Sequence, residues 1–172
     1  MENPPASYRR AIRRQSLFDA RVRRAHRKLR QRLLPFIVGG SLGNLVTAPV
    51  VYSLIVPFVL LDAWVWVYQF LAFPVYSIPR VRRRPYFAFD RERLAYLNAI
   101  ERMNCLYCSY ANGLIAYVRE VAARTEQYWC PIKHARQVRQ AHSHYANFLD
   151  FGDAAGYRRE LPALRRGLNT RR

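Results

Sequence analysis

Charged and apolar residues are segregated along this 172-residue chain, and the segregation predicts three zones. Residues 1–34 are rich in arginine, residues 35–79 are almost wholly uncharged, and the remainder mixes apolar and charged positions. Within that remainder we place a helical domain at 80–154 and a basic tail at 155–172. The pattern predicts a mainly α-helical protein with a basic amphipathic N-terminal helix, a membrane segment and a small helical C-terminal domain.

The first zone has the pattern of an amphipathic helix that lies on a membrane surface. Its eleven Lys or Arg residues face only two acidic ones, and apolar residues recur mostly at steps of three to five. These apolar positions are Ile12, Leu17, Phe18, Val22, Ala25, Leu29 and Leu33. Such a helix places its apolar stripe at the acyl boundary and its arginines at anionic headgroups. A mitochondrial presequence has a similar composition and is the rival interpretation.

The second zone predicts a segment embedded in a bilayer. Asp62 is the one charged residue between Arg32 and Arg80, and a soluble domain of this size does not need so long an uncharged run. Its densest part, residues 45–77, would measure about 50 Å as a straight helix, whereas the hydrocarbon core is about 30 Å thick. The run is therefore too long for one comfortable span and too short for two.

Two arrangements of this segment stay open. A re-entrant hairpin broken near Pro57 is favoured, because proline removes a backbone donor and because basic flanks stay on the cytoplasmic side. Asp62 would then lie near the break, where its carboxylate could bond freed backbone groups or reach water. The alternative is one long tilted or kinked span in which Pro57 is an ordinary kink.

Arginines on both sides of the membrane segment are predicted to contact lipid headgroups. They are Arg23, Arg24, Arg27, Arg30 and Arg32 before it, and Arg80, Arg82, Arg83 and Arg84 after it. The hairpin would leave both termini on the cytoplasmic, reducing side. The net charge of +18 calls for an anionic partner. Anionic lipid explains it better than nucleic acid, because the arginines cluster beside the apolar segment.

The third zone is expected to be helical, with one break. Asn112 and Gly113 form a pair that is frequent at helix ends, and apolar residues recur at helical spacing on both sides of it. A further helix is expected at about residues 132–149. The basic tail is expected to be loosely ordered.

Cysteine and histidine spacing in this zone defines a candidate metal site. Cys105 and Cys108 form a Cys-x2-Cys pair, and Cys130 and His134 form a Cys-x3-His pair after twenty-one intervening residues. These are the ligand types and the pairing that structural zinc favours. An unbroken helix over 109–127 would hold its ends about 28 Å apart. The site therefore needs the predicted break, or two protomers that each supply one pair.

Other interpretations of the same residues remain open. Cys130 followed by Pro131 fits an iron–sulfur centre. Alternatively, Cys105 and Cys108 form a dithiol that cycles between oxidation states, and Cys130 has no part in it. The cysteines could also be small apolar residues of a helical core that bind no ligand. His142 and His144 are weaker candidate ligands, because an x1 pair lies on opposite faces of a helix. The metal interpretations need reduced thiols, which agrees with cytoplasmic exposure.

The sequence favours a binding protein over an enzyme, since no motif in it assigns a catalytic residue. The leading expectation is a small membrane-anchored protein with a structural zinc domain on the cytoplasmic face. It would act by binding anionic lipid and a protein partner or a second copy of itself. The first alternative is a membrane-bound redox protein that carries an iron–sulfur centre or a dithiol, and the second is a nucleic-acid binder.

Overall fold

The computed structural model describes residues 20–39 and 41–170, and this part of the chain is mainly helical, as predicted. Its helices are α1 (Ala20–Lys28), α2 (Leu33–Val38), α3 (Leu42–Ser53), α4 (Ile55–Val75), α5 (Ala99–Trp129) and α6 (Ala154–Thr170). Short 3-10 turns lie at Arg84–Tyr86, Arg91–Arg93 and Tyr145–Asn147. Most of the predicted amphipathic helix over 1–34 falls outside the described residues, and α1 covers only its later part.

Two compact units divide the chain. The first unit comprises Met1–Ser53 and Ala88–Tyr110, and the second comprises Leu54–Phe87 and Ala111–Arg172. Helix α3 belongs to the first unit and α4 to the second, whereas α5 contributes its beginning to the first and its remainder to the second.

Helices α3 and α4 form one apolar stretch, Leu42–Val75, that is long and apolar enough to cross a membrane. Its interruption is at Leu54, which itself has helical backbone angles, φ −60° and ψ −16°. The structure has one long apolar helix here, and α4 continues through Pro57 without the predicted hairpin break. Whether this helix spans a bilayer stays a prediction. Pro57 is the third residue of α4, within the first turn, where an N–H has no partner in its own helix and proline is tolerated.

A Schellman motif ends α4 and turns the chain back along it. Ser77 has a left-handed φ of 54°, its N–H donates to the Pro74 carbonyl, and the Ile78 N–H donates to the Phe73 carbonyl. Ile78 is buried, which supplies the apolar contact that accompanies this motif. The basic segment after α4 consequently returns beside α4 instead of continuing away from its end.

The core of the second unit lies between α4, the returning segment and the later part of α5. One side of α4 is buried at every third or fourth residue, at Asp62, Val65, Gln69 and Phe73. Leu114, Tyr117, Val121 and Ala123 of α5 are buried in the same unit. The Tyr68 hydroxyl lies 3.1 Å from the Thr125 hydroxyl, which fixes α4 against α5.

Helix α5 is unbroken, so the predicted break at Asn112–Gly113 is wrong. A Cβ on Gly113 would lie 2.8 Å from both the Phe87 ring and the Tyr86 carbonyl oxygen. This glycine therefore permits close approach of the returning segment and does not end a helix. The helix begins at a capping box in which Asn98 and Glu101 each accept the other's backbone N–H, at 3.0 and 2.7 Å.

Residues 132–149 do not form the expected helix. Pro131 follows α5, and the chain then pairs in an extended bridge in which the Lys133 N–H donates to the Leu149 carbonyl at 2.7 Å. The expectation of a loosely ordered tail is also wrong, since α6 occupies most of it. Gln127 donates to the Leu164 carbonyl at 2.8 Å, and Leu168 is buried.

In the first unit, α3 packs against the beginning of α5. The Tyr107 hydroxyl donates to the Val51 carbonyl at 3.0 Å, and the Tyr52 hydroxyl donates to Asn104. The Tyr52 and Tyr107 rings meet edge to face, with their centroids 6.0 Å apart. Aromatic side chains that are apolar on their faces and polar at their tips thus close this contact.

Candidate functional site

The cysteines do not lie on a knuckle. Cys105 and Cys108 are on α5, Cys130 is the first residue after it, and none of the three is in a disulfide. An unbroken helix rises about 1.5 Å per residue, so twenty-one intervening residues separate two positions by about 30 Å. Among the residues that the structure describes, no three His, Cys, Asp or Glu side chains gather in a way that could hold a metal.

The surroundings of the second pair do not favour a ligand role either. Burial raises the pKa of the Cys130 thiol, and the negative charge of Glu126 raises it further, so the thiolate that binds metals is disfavoured. The backbone N–H of His134 donates to the Tyr145 hydroxyl at 2.7 Å, and the two rings stack. One chain does not fit the four-ligand site, and the zinc site stays a prediction that needs two protomers.

Asp62 has a defined partner on the returning segment. The Arg83 guanidinium donates to Asp62 Oδ2 at 2.5 Å, where the Asp62 side chain is 12% exposed and the Arg83 side chain 49%. The same guanidinium lies over the Phe87 ring, 4.5 Å from its centroid. Arg83 was predicted to contact headgroups and Asp62 to serve a hairpin break. The structure instead joins them in one ion pair.

Two further contacts tie the returning segment to α4. Gln69 is buried in the apolar helix, and its side chain donates to the Tyr117 hydroxyl while accepting the Val81 N–H at 2.8 Å. The Arg80 guanidinium donates to the Phe70 carbonyl at 3.3 Å. Buried polar groups are stable when each has a partner. The covered side of α4 therefore carries a row of partnered polar groups, which we call the α4 seam, formed by Asp62, Gln69 and the Phe70 carbonyl.

The opposite side of α4 is apolar and open. Trp64 is 74% exposed, Leu71 61% and Val75 75% on that side. Trp66, one turn after Asp62, is 62% exposed beside the seam, and its ring stacks on the Phe70 ring. An exposed apolar surface of this kind marks an interaction site for a membrane or a protein. Helix α4 is thus divided lengthwise into an apolar side and a side that carries the α4 seam.

The remaining predicted headgroup arginines are exposed, as headgroup contact requires. They are Arg23, Arg24, Arg27, Arg30, Arg32, Arg80, Arg82 and Arg84. Arg80 also contacts the α4 backbone, which places its charge beside the apolar helix and not beyond its end. Lipid contact by these arginines stays a prediction.

A histidine–carboxylate network beside α5 was not predicted as a unit. His144 is buried, with Nδ1 2.5 Å from Gln127 Oε1 and Nε2 3.2 Å from Glu120 Oε1. Glu120 also accepts from Arg124 at 2.9 Å. Burial raises the pKa of Glu120, but the hydrogen bonds from His144 and Arg124 outweigh it and hold that pKa below its usual value. The network joins the irregular segment after α5 to the helix.

A second histidine lies close to this network. His142 Nε2 is 2.8 Å from Glu126 Oε2, and the His142 and His144 rings are 5.9 Å apart. The x1 spacing places both rings beside α5 because this segment is not helical. The sequence offered no signal for these pairings, since they join residues 16 and 24 positions apart.

Comparison of the chain with protein-family models, with curated proteins and with solved structures finds no match. The side-chain geometry of the described residues is therefore the basis for a functional proposal.

Proposed function

We propose that this chain is a membrane-anchored binding protein whose apolar helix enters one leaflet sideways. The exposed side of α4 would face the acyl chains, and the returning segment that covers the α4 seam would face the headgroups and water. The basic segments on both sides would bind anionic lipid, and the helical C-terminal region would bind a protein partner. The observation that carries this proposal is the Asp62–Arg83 ion pair, which lies well inside the apolar stretch.

A helix that crosses a bilayer by itself is apolar on all sides. Arg83 and Arg80 lie beside α4, at the level of Asp62 and Phe70 respectively. Asp62 is 13 residues and Phe70 is 5 residues before the end of the helix at Val75. Each arginine at the centre of a bilayer costs about 2.5 to 3.5 kcal/mol on insertion scales. A perpendicular span would bring both arginines toward that depth, whereas a sideways helix keeps them at the surface.

The aromatic residues of α4 support the same orientation. Trp64 is exposed on the side opposite the α4 seam, and Trp66, one helical turn after Asp62, is exposed beside the seam. Tryptophan is enriched where a bilayer meets water. An interfacial helix buries its apolar face about 5 to 10 Å below the headgroup boundary. Both basic flanks then meet the same membrane surface without a hairpin.

The depth of these tryptophans tests the proposal. The chain contains three tryptophans, so Trp129→Phe leaves Trp64 and Trp66 as the fluorescent reporters. The protein is reconstituted into anionic vesicles whose lipids carry bromine at a shallow or a deep acyl position. We expect stronger quenching by the shallow bromine. Stronger quenching by bromine at the bilayer centre would contradict a sideways helix and favour a full span.

A zinc ion shared between two protomers extends this proposal to the cysteines. Cys108 and Cys130 are exposed, so each pair is accessible to a second chain, and the Cys105–Cys108 pair of one protomer could join Cys130 and His134 of another. Size separation of the reduced protein followed by metal analysis tests this. Zinc in the dimer fraction and none in the monomer is the expected result, and zinc in the monomer would contradict it.

A further inference from the structure

An open cleft in the first unit has the size and lining of a ligand site. Its volume is about 660 Å³, within the range of about 300 to 1,000 Å³ that small-molecule sites occupy. The apolar lining comes from α2, α3 and the beginning of α5, through Phe36, Leu45, Ala48, Ile100 and Met103.

Polar and cationic groups accompany this apolar lining. Gln31, Ser41 and Asn44 also line the cleft, and Gln31 lies in the chain between Arg30 and Arg32, whose side chains are exposed. Arginine pairs with phosphate oxygens through two parallel N–H donors. The cleft therefore has a surface for hydrocarbon, and two exposed arginines that could bind a phosphate flank one of its polar lining residues in the sequence.

We infer that this cleft binds one anionic phospholipid, with an acyl chain against the apolar lining and the phosphate at Arg30 and Arg32. The inference rests on the proposed membrane function. Helix α3 belongs to the same apolar stretch as α4, so membrane lipid is the apolar ligand present at high local concentration. Water against the apolar part of the lining is unfavourable, and an acyl chain would replace it there.

Ala48 provides the steric test. Ala48→Trp fills the cleft from α3, and Val50→Trp is the matched control, because Val50 is on the same helix, is 68% exposed and does not line the cleft. Each protein is purified in mild detergent, and native mass spectrometry counts the phosphatidylglycerol or phosphatidylcholine that it binds. We expect one phosphatidylglycerol on the unchanged chain and on Val50→Trp, and at least a tenfold weaker affinity for Ala48→Trp.

The charge test is independent of cleft shape. Arg30→Gln with Arg32→Gln should lower the affinity for phosphatidylglycerol about tenfold and abolish its advantage over phosphatidylcholine. The control removes two exposed arginines elsewhere, Arg136→Gln with Arg139→Gln, and should leave the preference unchanged. Equal binding by Ala48→Trp and the unchanged chain, or an equal loss of preference in both double variants, would overturn the inference.

Vesicle flotation separates this inference from the proposed membrane function. If Ala48→Trp floats with anionic vesicles and loses the bound lipid, both proposals hold. If it floats and keeps the lipid, the cleft is not the site and membrane anchoring stands. If the unchanged chain does not float, the membrane function fails, and the cleft inference fails with it.

Discussion

Arg83→Gln is expected to destabilise the protein because it leaves the Asp62 carboxylate without its guanidinium partner. Two unit charges about 4 Å apart interact by about 4 kcal/mol at an effective dielectric constant of 20. Part of this is lost to desolvation, since the Asp62 side chain is only 12% exposed. Exposed pairs are worth about 0.2 to 1 kcal/mol, whereas breaking a buried pair costs about 3 to 5 kcal/mol. The Arg83 side chain is 49% exposed, so this pair falls between those limits.

We therefore expect Arg83→Gln to lower the free energy of unfolding by about 2 kcal/mol, which lowers the melting temperature of a chain this long by about 4 to 8 °C. Asp62→Asn should cost about 1 kcal/mol, because the half-exposed guanidinium left behind can be hydrated. The double variant should cost less than the sum of the two single variants. Thermal unfolding in mild detergent, followed by circular dichroism, gives all four values of the cycle.

Arg82→Gln is the matched control for this cycle. It removes an exposed arginine from the adjacent position and should change stability by no more than about 0.5 kcal/mol. The double-mutant cycle also removes the contribution of Arg83 over the Phe87 ring, which both Arg83 variants lose. A coupling energy of zero between Asp62 and Arg83, or equal melting of Arg83→Gln and Arg82→Gln, would refute the reasoning.

Five further substitutions each change a single position. Gly113→Ala should lower the free energy of unfolding by about 1 to 3 kcal/mol, because the new Cβ clashes with the returning segment. Gly167→Ala makes only ordinary contacts and should raise the free energy of unfolding by about 0.5 to 1 kcal/mol through a more stable α6. Denaturant titrations measure both. Ser77→Gly should raise the melting temperature by a few degrees. Serine in the left-handed conformation costs about 1 kcal/mol, and glycine adopts this conformation without that cost. The pKa of Glu120 is lowered, so its carboxylate stabilises the fold above the usual pKa of 4.5, and this stabilisation is lost as pH falls through the lowered pKa. The difference in free energy of unfolding between Glu120→Gln and the unchanged chain should therefore become smaller in acid. Cys130→Ser should remove zinc from the dimer fraction and leave monomer melting unchanged.

The helical fold and the apolar helix were predictable because both depend on local pattern. The charge-free run that contains Asp62 and the helical spacing of apolar residues around Gly113 are visible in any short window of the sequence. The capping box at Asn98 and Glu101 is also visible in the sequence, as Asn-x-x-Glu before an apolar run. Features that depend on a few neighbouring residues were thus within reach.

The errors arose where tertiary contacts decide what a residue does. Proline and Asn-Gly pairs have several structural uses, and local sequence does not choose among them. Pro57 is tolerated because α4 begins two residues before it, at Ile55. The sequence does not mark this helix start, because the residues on both sides of it are apolar. A glycine is needed at position 113 because a Cβ there would lie 2.8 Å from the Tyr86 carbonyl oxygen and the Phe87 ring of the returning segment. The reversal of the chain depends on the left-handed backbone at Ser77, and no short sequence pattern predicts this conformation for a serine.

The same return explains why the positive flanks gave an incomplete account of topology. Basic residues after an apolar segment are ordinarily taken to mark its end at the membrane surface. Here the turn at Ser77 places Arg83 beside Asp62, thirteen residues before the end of α4. A helix with charged partners along one side and exposed apolar side chains along the other is suited to a bilayer surface more than to its interior. The sequence requirement that Asp62 find a partner was therefore the informative clue, because the partner's position supports the proposed orientation of the helix, whereas the helix length does not.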